Sequence, residues 1–126
     1  MDFNLSGCPG GVIGTASGFG KLLQDQLRPH SAIFDNATRN LFFEPQATSN
    51  GSPIPMTLGW HIGNRDDRRY FFKEGGGGGF RCLMRLYVEH GIGSVVMTNA
   101  SGFDVHAQLN ALDHQFLGGM KEVQRK

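Results

Sequence analysis

Seven serines, at positions 6, 17, 31, 49, 52, 94 and 101, are the side chains most able to act as acyl-accepting nucleophiles. A serine hydroxyl does this work only with a base held beside it, so spacing tests each one. The residues three positions on are Pro9, Gly20, Phe34, Ser52, Pro55, Met97 and Asp104. No Ser-x-x-Lys occurs, and no Gly-x-Ser-x-Gly elbow. Gly14 to Lys21 falls short of a phosphate loop, because five residues separate Gly14 from Gly20 and Leu22 follows Lys21; it reads as a glycine-containing helix start. No Gly-x-Gly-x-x-Gly stands at a strand-to-helix junction. The five histidines contain no His-x-x-x-His pair, and His106 and His114 lie two helical turns apart, too far to chelate one ion. Cys8 and Cys82 form neither a disulfide framework nor a zinc signature; two isolated thiols are expected, with a single disulfide as the alternative. No cofactor or metal is predicted. What stands out is Lys73-Glu74 followed by five consecutive glycines, Gly75 to Gly79.

The elements that must position this run can be read from periodicity. Thr15 or Ser17 can cap a helix carrying Phe19, Leu22, Leu23 and Leu27 on one face, ending at Arg28-Pro29 because the residue before proline is pushed out of the α region. A short helix starting at Asp35 would show Ala37, Leu41 and Phe42 on one side. Gly7 to Gly11 and the stretch between Pro45 and Pro55 read as turns and loop. Met56, Leu58, Trp60 and Ile62 alternate with Thr57, Gly59 and His61, which predicts a half-buried strand. Gly63 to Asp67 then reads as a turn and Arg69 to Lys73 as a second strand. Phe80 to Val88 and Ile92 to Thr98 make two more strands, joined as an antiparallel hairpin by Glu89-His90-Gly91. Val105, Leu109, Leu112 and Phe116 mark a closing amphipathic helix, stopped by Gly118-Gly119 and followed by a frayed basic tail from Lys121. The fold class expected is α+β, an antiparallel sheet with packed helices, as a single region over residues 1–126. Residues 8–45 form its helical part, 56–99 its strands and 104–117 its last helix.

Composition narrows the function. Twelve basic against eleven acidic residues give a net charge of +1, without the clustered basic excess of a nucleic-acid binder. No apolar run is long enough to span a bilayer, and Met1 to Ser6 lacks the basic start and apolar segment of a signal peptide. Glycine is in excess, 19 of 126, but the 39 % apolar content and ten phenylalanines argue for a folded domain with a locally special backbone.

Three stretches read together carry a resemblance: Leu58-Gly59-Trp60-His61-Ile62, then Tyr70 to Phe80 with its glycines, then Leu86-Tyr87 and Gly91-Ile92-Gly93-Ser94-Val95-Val96-Met97-Thr98-Asn99. The chain resembles the C-terminal part of the serine β-lactamase and penicillin-binding-protein superfamily, especially the class C β-lactamase-like hydrolases and esterases. Gly10-Gly11-Val12-Ile13-Gly14-Thr15-Ala16-Ser17 is similar to that family's helix start. The likeness covers roughly residues 8 to 116 and implies a partial β-lactamase/transpeptidase-like fold.

By this resemblance Lys73-Glu74-Gly75 occupies the strand motif, Lys-Thr-Gly or His-x-Gly, that walls the active site. Lys73 would supply positive charge and a proton-relay partner, and the Gly76 N–H one oxyanion-hole donor. Such a donor must approach the developing charge with no side chain in the way, which glycine permits. Glu74, Gly75 and Gly77 would line the substrate. The alternative for Lys73 is a solvated strand lysine beside a mobile glycine loop. Glu74 stands where β-lactamases carry a small hydroxyl residue, and a carboxylate there favours ester over β-lactam substrates. The family's Ser-x-x-Lys and its Tyr-x-Asn or Ser-x-Asn have no counterpart here, since Tyr70 is followed by Phe71-Phe72 and Tyr87 by Val88-Glu89. The resemblance therefore implies a C-terminal portion of a hydrolase of small acyl substrates, lacking the nucleophile and inactive alone. Its exposed sheet edge would meet a companion chain or a second copy. The rival reading is a non-catalytic binding or oligomerisation module that pairs through that edge.

Overall fold

The computed structural model describes residues 12–123; the turn expected at Gly7 to Gly11, the Gly10-Gly11 pair and Cys8 lie outside them. The first helix, α1, runs Ala16–Leu27. The Thr15 hydroxyl accepts from the Gly18 N–H at 3.1 Å, and the chain becomes extended at Arg28, where Pro29 forbids a further turn. Below it the Asp25 carboxylate accepts from the Ser31 hydroxyl and from the Ala32 N–H at 2.7 Å. These bonds hold its carboxyl below the ordinary carboxylate range and tie down the link to α2 (Asn36–Phe43), whose N-cap is Asp35. The face expected for α2 is only partly the one used. Ala37 and Leu41 are exposed, while Phe42 meets Phe34 and Phe43 packs on Phe71 with ring centroids 4.8 Å apart. A helix of two turns takes its orientation from the surface that receives it rather than from its own periodicity.

Four antiparallel strands follow, β1 (His61–Arg65), β2 (Arg68–Gly77), β3 (Phe80–Tyr87) and β4 (Ile92–Thr98), in the spatial order β1-β2-β3-β4. The first strand is shorter than its alternation predicted. The left-handed φ of +92° at Gly59 folds residues 57–60 into a turn closed by the Thr57 N–H to the Trp60 carbonyl. Met56 then bridges back to His61 while Leu58 faces solvent. The following turn is also tighter than expected. Gly63 to Arg65 pair with Arg68 to Tyr70, and only Asp66 and Asp67 turn, both at positive φ (50° and 59°), the backbone a two-residue hairpin needs.

The helices pack on opposite faces of the sheet, which bears out the α+β class. On one face Phe71, Leu86, Met84 and Val95 meet Leu23 and Leu27 of α1, with Trp60 and Phe43 at the side. On the other, Leu83, Phe72 and Val96 meet Val105, Leu109 and Leu112 of α3, Val105–Val123. Fully buried leucines such as Leu83, Leu86 and Leu109 each contribute on the order of 1.5–3 kcal/mol of transfer free energy. The last helix corrects two expectations. It continues through Gly118-Gly119 to Val123 rather than stopping there, so the backbone at Lys121 is helical. Its sheet-facing stripe is Val105, Leu109, Asp113 and Leu117, all buried, whereas Phe116 is 59 % exposed. A carboxylate occupies the place where an apolar residue was expected, so the stripe was misread by one position.

Candidate functional site

The glycine run is mostly strand. Gly75, Gly76 and Gly77 pair with Cys82, Arg81 and Phe80, and only Gly78 and Gly79 form the turn, Gly79 at φ +91°. A mobile loop beginning at Gly75 is therefore not what the sequence makes. The absence of side chains serves close cross-strand approach. A Cβ at Gly77 would stand 2.6 Å from the Phe80 ring, and one at Gly75 would stand 3.0 Å from the Cys82 sulfur. Ser101, in the link between β4 and α3, accepts the Gly79 N–H at 2.9 Å and ties the turn to the rest of the fold.

β1 ends opposite Phe72. Along Lys73 to Gly77 the outer side of β2 consequently has no strand partner among the described residues, and its backbone donors and acceptors face outward. Lys73 and Glu74, as successive strand residues, project to opposite faces. Lys73 lies opposite Met84, on the α1 side of the sheet, and is exposed. α1 covers only part of that side. Its Leu23 and Leu27 close over Gly93, while Phe80 (50 % exposed) and Met97 (40 % exposed) are left open on the same face as Lys73. Glu74, Gly75, Gly76, Gly77, Arg81 and Ser101 line a shallow open cleft of about 470 Å³ along this edge.

Glu74 is turned away from Lys73. One of its oxygens lies 3.0 Å from His106 Nε2 of α3, and the other lies 3.8 Å from the Arg81 guanidinium. The Glu74 carboxylate thus stands on the α3 side of the sheet, opposite Lys73, with the Arg81 guanidinium beside it to offset its charge.

Behind Glu74 lies a buried polar cluster that sequence reasoning missed. Arg85, 1 % exposed, donates to Asp113 Oδ2 at 3.1 Å and to Asn110 Oδ1 at 2.8 Å, and its Nη2 stands 3.3 Å from His106 Nδ1. The Tyr87 hydroxyl donates to the same Asp113 oxygen at 3.2 Å, and the guanidinium lies 5.0 Å from the centre of the Tyr70 ring. Two signals could have found it: an arginine between the apolar Met84 and Leu86, and an aspartate eight residues after Val105 on a helix whose turns repeat every 3.6.

Burial, with the Asp113 charge behind it, pushes the Tyr87 phenol from 10.0 up to about 12. A group whose folded value is raised contributes stability that is complete below its unfolded value and is lost as pH climbs through the folded one. The urea midpoint is therefore expected to fall between pH 10 and about 12, and Tyr87→Phe to remove that part of the slope; an unchanged slope in the variant would refute the assignment.

Among the described residues no group of three His, Cys, Asp or Glu could hold a metal ion, and no helix is long and apolar enough to cross a membrane. The family model for Beta-lactamase matches residues 5–117. No curated protein matches the chain.

Proposed function

Because the chain belongs to the β-lactamase family, a relationship that supports a serine-hydrolase-related function, we propose that it supplies one wall of an acyl-hydrolase active site whose nucleophile comes from another segment. The observation that carries this reading is the free edge from Lys73 to Gly77, beside a sheet face that α1 leaves partly uncovered. In this role the Lys73 ammonium provides positive charge and a proton-relay partner next to the incoming serine. The Gly76 N–H is an oxyanion donor on an edge with no side chain to obstruct it. Gly75 and Gly77 let an extended acyl substrate lie close to the strand, and Glu74 lines the cleft from the α3 side. The substrate is a small ester or amide acyl compound, β-lactams included, because the Arg81 guanidinium beside Glu74 offsets the carboxylate that argued against them. The open strip around Phe80 and Met97 receives the companion segment.

No serine of this chain has a lysine three residues on, so the chain alone is expected to be inert. Incubated with a fluorescent penicillin and with a fluorophosphonate, it should carry no covalent label; a labelled serine would overturn the division of labour.

A second reading, a binding module that self-associates by strand addition, is favoured by the outer edge of β4, which also has no strand partner among the described residues. Size-exclusion chromatography separates it from the first. Self-association without a companion favours the module, and a clean monomer that shifts only when a companion is added favours the enzyme wall.

A further inference from the structure

We infer that His106 is a positioning residue for the Lys73 to Gly77 strand, acting as a neutral, single-tautomer clamp between Arg85 and Glu74. The inference rests on the wall reading for its purpose, but its geometry stands apart from it. Arginine has five N–H donors and no acceptor. An arginine Nη2 facing His106 Nδ1 at 3.3 Å therefore requires a lone pair on Nδ1. The proton of the neutral ring must then sit on Nε2, which donates to Glu74 Oε2 at 3.0 Å. The ring thus receives a hydrogen bond from a buried cation and passes one to a half-exposed carboxylate.

This places a rigid link where the fold is otherwise open. Arg85 is anchored by Asp113 and Asn110 on α3, and Glu74 lies between Lys73 and Gly75 on the stretch of β2 that has no outer strand partner among the described residues. Through His106 the direction of Glu74, and with it the twist of the next peptide units, is set by the buried pair rather than by solvent. Phe72 presents its ring edge-on to the imidazole, with centroids 6.1 Å apart, and limits its rotation.

Protonation would break the arrangement at one end. It puts an N–H on Nδ1 directly against the Arg85 guanidinium, while the Glu74 carboxylate favours the cation at the other end. The charged groups around the ring are Glu74 from β2, Arg85 from β3 with Arg81 behind Glu74, and Asp113 reached through Arg85 on α3.

Long-range 1H–15N correlation on the folded chain reads the tautomer directly. At pH 8 the Nε2–H form is expected for His106. His106→Gln keeps one acceptor and one donor, so it should hold the wild-type Gly75 and Gly76 amide resonances. His106→Phe should release Glu74 and speed amide exchange in the β2–β3 ladder at Gly75 and Gly77 by about tenfold or more, the loss corresponding to one charge-assisted hydrogen bond. An Nδ1–H or mixed tautomer overturns the clamp. So does His106→Phe leaving Gly75 and Gly76 unmoved while the α3 resonances stay native. None of these readouts involves an acyl substrate, so a failed labelling experiment would leave them standing, and their failure would leave the wall reading standing.

Discussion

Replacing Arg85 by leucine is expected to cost about 3–5 kcal/mol, the penalty for leaving one partner of a buried ion pair uncompensated. Domains of this size are stable by about 5–15 kcal/mol, so the variant should lose roughly a fifth of its stability at the least, read as a lowered urea midpoint. The mechanism is specific. Asp113 is 1 % exposed, and without the guanidinium its charge keeps only the Tyr87 hydroxyl at 3.2 Å. The pair is not an optimised source of stability, however. Arg85 Nε and Asp113 Oδ1 are buried and meet no hydrogen-bond partner. The double variant Arg85→Leu with Asp113→Leu is therefore expected to recover most of the loss, because two apolar side chains facing each other remove both desolvation penalties. If the double variant is as unstable as the single one, the cost lies in packing rather than charge. What the pair provides on this view is placement: it fixes His106 against Glu74 and α3 against the strand that carries Lys73.

Lys73→Ala is expected to lower acyl transfer in a reconstituted complex by about 10²–10⁴-fold, the usual contribution of a positioned proton-transfer group. The fold should not notice, because Lys73 is exposed. Lys73→His should retain part of the activity, since the family motif that Lys73-Glu74-Gly75 resembles also occurs in a His-x-Gly form. Equal activity in Lys73→Ala and wild type would return Lys73 to an ordinary solvated strand lysine. Substitutions at Glu74 should act differently. Its carboxylate is bound on the α3 side by His106 and Arg81, so Glu74→Gln should move the amide resonances of the strand before it alters substrate choice.

Much of this architecture was legible wherever a local rule decides the outcome. Thr15 and Pro29 bound the first helix through cap chemistry and the steric demand of proline, and Asp35 starts the second. The β3–β4 hairpin follows from two β-prone runs around Glu89-His90-Gly91, with Gly91 at φ 65°. The failures share another cause. Whether Gly75 to Gly77 continue a strand depends on what lies across from them, namely the Cys82 sulfur and the Phe80 ring, and no local signal reports this. Gly118-Gly119 has the composition of a helix stop, yet the helix runs past it. Arg85 and Asp113 sit on apolar faces, where a period-based reading discards charges as noise; only as a pair do they make sense. The chemistry of the edge showed the same division. Lys73 and the glycines were visible as a motif, whereas the orientation of Glu74 and the role of His106 depend on which face each side chain takes.

The most direct test mixes this chain with a segment that carries Ser-x-x-Lys and Tyr-x-Asn from a member of the same family, treats the mixture with fluorescent penicillin and a fluorophosphonate, and locates the labelled serine by mass spectrometry. The account predicts label on the companion's serine, only in the mixture, and strongly reduced with Lys73→Ala. Label on any of the seven serines of this chain, or labelling of the companion that is equally fast without it, would contradict it.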